Sequence, residues 1–337
     1  MSASRGVRSI CEDLAEQLAQ HGWSVIRTSC KSARIPRLSD MAYTAWAKRR
    51  KYKIAHVDVF SGKAFYLSRI ICFLLVLLGK PFVLSLHGGG LPRYALRHPS
   101  RVRRLLASAA AITAPSLYLI EKMKPFCDNI CLIPNPIYLN LYKYKVRRKC
   151  SPRLVWLRSF HHIYNPVLAP KVIALLLKKF PDIHLTMIGP DKGDGSKRRT
   201  RELSMGLGLQ HHLTLTDRIA KSAISNHMNA ADIFINTTTI DNTPVTVLEA
   251  MACGLCIVST NVGGIPYLLD HQKDSLLVPP DDPQAMADAI ECLLRDDQLS
   301  ERLSRNARQK VEKFDWPRGI CRWESLLCTV VRKNGYE

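Results

Sequence analysis

Acidic side chains are scarce in the first half of this chain. Residues 1–150 hold 7 Asp and Glu against 26 Lys and Arg, a net charge of +19, whereas residues 151–337 hold 21 against 23, a net of +2. A field of that kind decides partners and not fold. It turns the N-terminal half toward something anionic: a membrane surface, a phosphorylated or acidic acceptor, or nucleic acid. Nucleic acid is the weakest of these, because the basic residues are not interleaved with aromatics and no nucleic-acid-binding motif occurs. A long hydrophobic run is missing too. The best stretch, Ile70–Leu78, has nine apolar residues between Arg69 and Lys80, about half of the ~20 needed to cross a bilayer. It is expected as a helix buried between a sheet and its neighbours, which leaves peripheral contact as the only membrane mode. No apolar leader opens the chain, so the eleven scattered cysteines are expected as reduced thiols of a cytosolic protein. Cys253 and Cys256 form a lone C-x-x-C, with only the looser Cys127 and Cys131 beside it, so neither zinc nor redox chemistry is expected. Neither G-x-G-x-x-G nor G-x-x-x-x-G-K-[ST] is present, and Gly189–Gly195 is therefore a post-strand loop and not a P-loop.

What is present is ordinary in bulk. Apolar residues make up 47% and charged residues 23%, which excludes a disordered chain or a disulfide scaffold. Short apolar strands alternate with amphipathic helices: strands at Trp23–Thr28, Ala55–Val59, Pro81–Leu86, Ala111–Ala114 and Ile130–Ile133, then again at Leu154–Leu157, His184–Ile188, Leu213–Thr216, Ile233–Asn236 and Cys256–Thr260. Strands apolar on both faces with helices between them imply parallel sheets covered on both sides. The charged stretch 140–152, LYKYKVRRKCSPR, reads as a linker between the two runs. The expected architecture is α/β, with two Rossmann-like domains whose parallel sheets face a central cleft. Residues 1–147 form the first, its opening strand apparently missing. Residues 148–315 form the second, and a helix over 316–337 packs back toward the first.

Ligands in such sheets bind beyond the carboxyl ends of the strands, and the richest post-strand segment is Asp241–Gly254. Thr243 suits a helix N-cap and Pro244 the first helical position. The amides of Val245 and Thr246 then lie free at a positive helix end, where phosphate binds. Asp241 stands outside that helix and Glu249 in its second turn. By spacing alone these carboxylates serve equally well to cap a helix or to hold hydroxyls on either side of a diphosphate.

The run D-N-x-P-x-x-x-L-E-A-M-A-C-G, followed by I-V-S-T-N-V-G-G-I-P, resembles the donor-site signature of family-4 glycosyltransferases, which are retaining, nucleotide-sugar-dependent enzymes of the GT-B fold. The resemblance extends in family order through His87-Gly88, Ser116, Ile133-Pro134-Asn135-Pro136, Arg158, Ile188-Gly189, Ala231-Asp232 and Leu276–Pro280. It implies that Glu249 holds the ribose and Asp241 the hydroxyls of the transferred sugar. Asn242, Thr243, Val245 and Thr246 would face the diphosphate with Arg158, and Gly189, Gly263 and Gly264 would shape the donor site. His87 would lie by the donor sugar and the acceptor. Arg5-Gly6 matches the family's Gly-Gly phosphate loop in part. Two departures stand out. Asp241 replaces the usual Glu, and Asn165-Pro166 occupy the slot of a usual Lys, for which Lys171 and Lys192 are substitutes.

The expected function is hexosyl transfer with retention, from a nucleotide-sugar co-substrate to a glycan or lipid-linked acceptor in cell-surface polysaccharide synthesis, without metal or cofactor. The expected place is the cytoplasm, peripherally at the inner face of the membrane. A nucleotide-sugar epimerase, a phosphorylase and a catalytically inactive homologue are the alternatives on the same scaffold.

Overall fold

A computed structural model of the chain describes residues 10–31 and 33–335. It divides into two units, Met1–Pro136 with Trp316–Glu337, and Ile137–Asp315. Helices α1 (Ile10–Gln20) and α2 (Arg34–Ala47) precede the first strand. Then come β1 (Ala55–Val59), α3 (Lys63–Leu77), β2 (Phe82–Leu86), α4 (Leu91–Arg97), α5 (Pro99–Ala107), β3 (Ala111–Ala114), α6 (Leu117–Met123) and β4 (Ile130–Leu132). In the second unit β5 (Arg153–Leu157), α7 (Leu168–Leu177), β6 (His184–Ile188), α8 (Ser196–Gly206), β7 (Leu213–Thr216) and α9 (Lys221–Asn229) are followed by β8 (Ile233–Asn236) and α10 (Val245–Cys253). The unit closes with β9 (Cys256–Thr260), α11 (Ile265–Leu268), β10 (Leu276–Val278), α12 (Pro283–Arg295) and α13 (Asp297–Val311). The last helix, α14 (Trp316–Lys333), returns to the first unit.

The first sheet runs β1-β2-β3-β4, all parallel. Trp23–Thr28 forms no strand, although its sequence is apolar enough for one. A strand needs a neighbour's ladder, and β1 pairs only with β2 among the described residues; the Trp23 indole instead donates to Glu324 on α14 at 3.1 Å. The core gathers Val57 and Val59, Leu84 and Leu86, and Phe65, Ile71 and Leu75 of α3. The expectation that α3 is buried all round is overturned. Phe65, Ser68, Ile71, Cys72 and Leu75 face inward, but Ile70, Phe73, Val76 and Leu77 stand exposed. No described helix is long and apolar enough to cross a membrane.

The second sheet runs β10-β9-β8-β5-β6-β7, again all parallel. Along β5 alternate residues enter different cores: Leu154 and Trp156 join one, Val155 and Leu157 the other. That is why the strand reads as unbroken apolar sequence. The order reverses between β5 and β8, which makes that gap the switch point where doubly wound sheets bind ligands.

The basic stretch 140–152 is not a linker. Arg147 is only 1% exposed. Its guanidinium pairs with Asp232 at 3.2 Å and donates to the carbonyls of Lys145, Cys253 and Ala231 and to the Asn229 side chain. A buried cation persists only where partners replace its water, and all of these but the Lys145 carbonyl come from α9, α10 and the turn before β8. The stretch therefore belongs to the second unit, and the boundary falls at Pro136/Ile137 instead of 147/148. The sequence pattern marks none of α2, α4, α8 and α11. In α8, SKRRTRELSMG, charge outweighs any apolar stripe.

Candidate active site

Arg158 follows β5 directly, and the segment ending in Asp241 follows β8, so the two enter the switch point from adjacent strands. The Arg158 guanidinium pairs with the Asp241 carboxylate and lies 4.5 Å from the centroid of the Tyr164 ring. Burial pulls the pKa of Arg158 down, while Tyr164 and Glu249 oppose the shift; a guanidinium stays charged regardless. Asp241 Oδ1 also accepts from the Asn242 amide at 2.8 Å.

Three glycines are required here by close backbone approach. A Cβ on Gly189 would stand 1.7 Å from the Arg158 carbonyl oxygen. On Gly263 and Gly264 it would stand 2.2 Å from the Asp241 oxygen and 2.0 Å from the Asn242 oxygen. The Gly264 amide donates to Asp241 O at 3.0 Å. These glycines thus shape the floor under Arg158, Asp241 and Asn242.

The helix that follows starts one residue later than its sequence suggests. Pro244 is the last non-helical residue (φ −70°, ψ 119°), and no side chain caps α10. The Pro244 carbonyl accepts from Val247 at 3.1 Å, so Thr243 is displaced from the N-cap position. The amides of Val245 and Thr246, the first two helical residues, have no acceptor within the helix. Thr246 Oγ1 is buried without a hydrogen-bond partner. Asn242 and Thr243 are buried alongside.

Glu249, 4% exposed, accepts a 2.6 Å hydrogen bond from the Tyr142 hydroxyl. Burial raises its pKa; the Tyr142 bond and the charges of Lys221 and Arg158 offset part of that rise. Lys221 opens α9 and reaches over Tyr138, 5.5 Å from the ring centroid. The Asn165 side chain, in the slot of the missing lysine, donates to Asp281 at 2.6 Å. Lys171 and Lys192 are exposed. Besides Arg158, the structure brings the Lys221 cation toward Glu249; the sequence does not disclose it, nor Tyr142 and Tyr164.

In the first unit His87 follows β2. Its Nε2 lies 3.0 Å from Asp58 Oδ1, and its ring stacks on Phe60 with centroids 5.0 Å apart. Asp58, on β1, is also 3.6 Å from His56 Nε2. His56 Nε2 is 2.7 Å from Ser85 Oγ, which in turn meets Thr113 Oγ1 at 2.8 Å. Burial pushes the Asp58 pKa up, but the hydrogen bond and charge of His87, with His56, outweigh it and bring it down to about 2. Burial lowers the pKa of His56. His56, Asp58, Ser85, His87 and Thr113 line a concavity with Cys11, Asn135 and Trp323. Arg5 and Gly6 lie outside the described residues.

Among the described residues, two clusters have metal-ligating types within 4.8 Å: Cys11, His56 and Asp58, and His161, His162 and Asp194. In the first, Asp58 and His56 are engaged by His87 and Ser85. In the second, Asp194 is held by the amides of His162 and Ser196. The eleven cysteines are free thiols. Cys253 and Cys256 are buried, and burial raises the Cys253 thiol to about 11.

The family model described as glycosyl transferases group 1 matches residues 146–310, which lie within the second unit. A D-inositol 3-phosphate glycosyltransferase of Paenarthrobacter aurescens (strain TC1) is 29% identical over 201 residues, covering 57% of this chain and 49% of the relative. One from Corynebacterium jeikeium (strain K411) is 30% identical over 156 residues, covering 45% and 37%. The chain thus spans about half the length, or less, of the curated relatives it matches. Among solved structures, sucrose-phosphate synthase from Thermosynechococcus elongatus superposes with a TM-score of 0.80 at 20% identity, over 96% of this chain and 93% of that one. Anabaena HepE in complex with UDP-glucose gives 0.73 at 19%, over 93% and 88%. The fold is that of GT-B glycosyltransferases.

Proposed function

We propose that this protein is a retaining glycosyltransferase of the hexosyltransferase type, acting on a nucleotide-sugar and a glycan or lipid-linked acceptor in cell-surface polysaccharide synthesis. The observation that carries the reading is the convergence of Arg158, Asp241 and the free amides of α10 at the switch point, with buried Glu249 in the same helix. Glu249 accepts the ribose hydroxyls, and Val245, Thr246 and Arg158 receive the diphosphate. Asp241 accepts hydroxyls of the transferred sugar beside the reacting carbon. The bond between that carbon and the diphosphate oxygen breaks, a bond to the acceptor oxygen forms on the same face, and the acceptor's hydroxyl proton passes to the departing diphosphate oxygen. Departing charge is stabilised by Arg158 and the helix-end amides, so the reading needs no metal or cofactor. Because Arg158 is paired with Asp241, the diphosphate competes with that carboxylate for the guanidinium.

HepE has been crystallised with UDP and with UDP-glucose, which makes UDP and UDP-glucose the first probes. A ligand that binds only the folded state raises the melting temperature. The expected result is such a rise with UDP, and slow release of UDP and α-glucose from UDP-glucose, followed by NMR. An isomerised sugar nucleotide would mean an epimerase, and sugar 1-phosphate a phosphorylase. No nucleotide effect across a panel of bases would refute the donor site.

A further inference from the structure

The outward face of α3 is apolar along its length. Tyr66, Ile70, Phe73 and Leu77 recur at helical spacing, with Val76 beside them, and Phe73 and Leu77 are 64% and 67% exposed. The inward face already supplies the core through Phe65, Ile71, Cys72 and Leu75, so the outer stripe is surplus to folding. It runs about 16 Å along the helix. Helix α2 packs against α3 and leaves Tyr43 and Trp46 exposed, with ring centroids 6.4 Å apart.

Cations are fixed on the aromatic members of this surface. Arg69 lies over the Tyr66 ring at 5.8 Å, and Arg49 over Trp46 at 5.0 Å. The Arg101 guanidinium donates to the Tyr66 hydroxyl at 3.1 Å. Apolar side chains with aromatic and arginine borders match the layered polarity of a bilayer interface. A second copy of this chain would bring the same cations against each other, whereas anionic lipid headgroups would neutralise them.

We propose that the outward face of α3, with Tyr43 and Trp46 of α2, is a docking surface for anionic lipid bilayers, its apolar stripe entering the headgroup boundary and Arg49, Arg69 and Arg101 meeting lipid phosphates. The inference deepens the lipid-linked acceptor reading above and rests on it for the purpose of docking. Each Lys or Arg near such a surface contributes about fivefold to partitioning, and that part is screened by salt. The apolar part is not, so salt weakens binding without abolishing it.

The test is co-sedimentation with phosphatidylcholine vesicles, with and without phosphatidylglycerol. Binding is expected to be weak to phosphatidylcholine alone and at least about tenfold stronger with phosphatidylglycerol. Phe73→Glu with Leu77→Glu should lower it about tenfold or more, and so should Arg69→Glu with Arg101→Glu. All four positions are exposed, so melting temperature and its response to UDP should stay at wild-type values; that UDP response separates failure of docking from failure of the donor-site reading. No wild-type binding at low salt would overturn the proposal. So would a Phe73/Leu77 variant that still sediments fully, or a wild-type dimer that this variant dissolves.

Discussion

The Tyr142 hydroxyl reaches the Glu249 carboxylate at 2.6 Å from 107 positions away in the sequence. It joins a residue of the charged stretch before β5 to the buried acid of α10. Glu249 thereby keeps one donor in a place where burial alone drives a carboxyl toward its neutral form.

Tyr142→Phe removes that donor and leaves only the charges of Lys221 and Arg158 to offset burial at Glu249. A hydrogen bond to a charged group contributes about 1.5–3 kcal/mol, so nucleotide affinity should fall about tenfold or more. The pH dependence has a definite sign. The folded pKa of Glu249 lies above its unfolded value, so its stabilising contribution is present below the unfolded pKa and is lost as pH rises through the folded one. Ribose binding needs the carboxylate and runs the other way. Affinity for UDP should weaken on acidification already above the ordinary carboxylate range, Tyr142→Phe should move that step to higher pH, and Glu249→Gln should erase it. Calorimetric titration at several pH values decides; a step unmoved by both variants would exclude Glu249.

The pair of Arg158 and Asp241 gives a second prediction. Asp241→Asn releases the guanidinium, so UDP should bind at least as well as to wild type while sugar transfer falls by about tenfold or more. Arg158→Lys keeps charge but loses the planar fork and should weaken UDP binding. Equal losses of binding and transfer in Asp241→Asn would argue against its place beside the sugar.

What the sequence disclosed and what it hid follow from the range of the interactions. Strands β5, β8 and β9 announce themselves because both faces are buried, and Pro244 and Gly254 bracket α10 almost to the residue. Arg158 and Asp241 are visible as post-strand residues. Tyr142, Lys221 and Asp58 are not, since each acquires its role from a residue on another element. The stretch 140–152 misleads because clustered Lys and Arg ordinarily mean solvent, and only tertiary partners reveal that Arg147 is buried.

Arg147 can be tested directly. Arg147→Ala leaves the Asp232 carboxylate without its principal buried cation and should cost about 3–5 kcal/mol. Asp232 has its pKa lowered: burial opposes ionisation, but the hydrogen bonds of Ser151 and the charges of Lys145 and Arg147 prevail. Denaturant unfolding should show the loss. A drop below about 1 kcal/mol, the size of an exposed ion pair, would mean that the stretch behaves as a linker in solution.

The last prediction concerns Asp58 and His87. With its pKa held at about 2, Asp58 is ionised at neutral pH and only accepts hydrogen bonds. The nitrogen facing it, His87 Nε2, must therefore carry a proton, which leaves Nδ1 as the acceptor of the neutral ring. A histidine oriented in this way can take a proton or a hydroxyl hydrogen bond at one defined atom, and the stacking of Phe60 on the ring fixes its plane. Asp58→Asn removes the charge that selects this tautomer. Turnover should fall about tenfold or more, while UDP affinity, a property of the second unit, stays near wild type; His87→Ala should behave likewise. Stability supplies an independent readout. Because the folded pKa of Asp58 is depressed, its contribution is present above the unfolded pKa and is lost as pH falls from about 4 to about 2, a difference of about 2 kcal/mol. The wild type should lose that increment on acidification and Asp58→Asn should not. If Asp58→Asn changes the acid limb of unfolding but not turnover, Asp58 holds the fold of the first unit and has no part in orienting His87 for transfer.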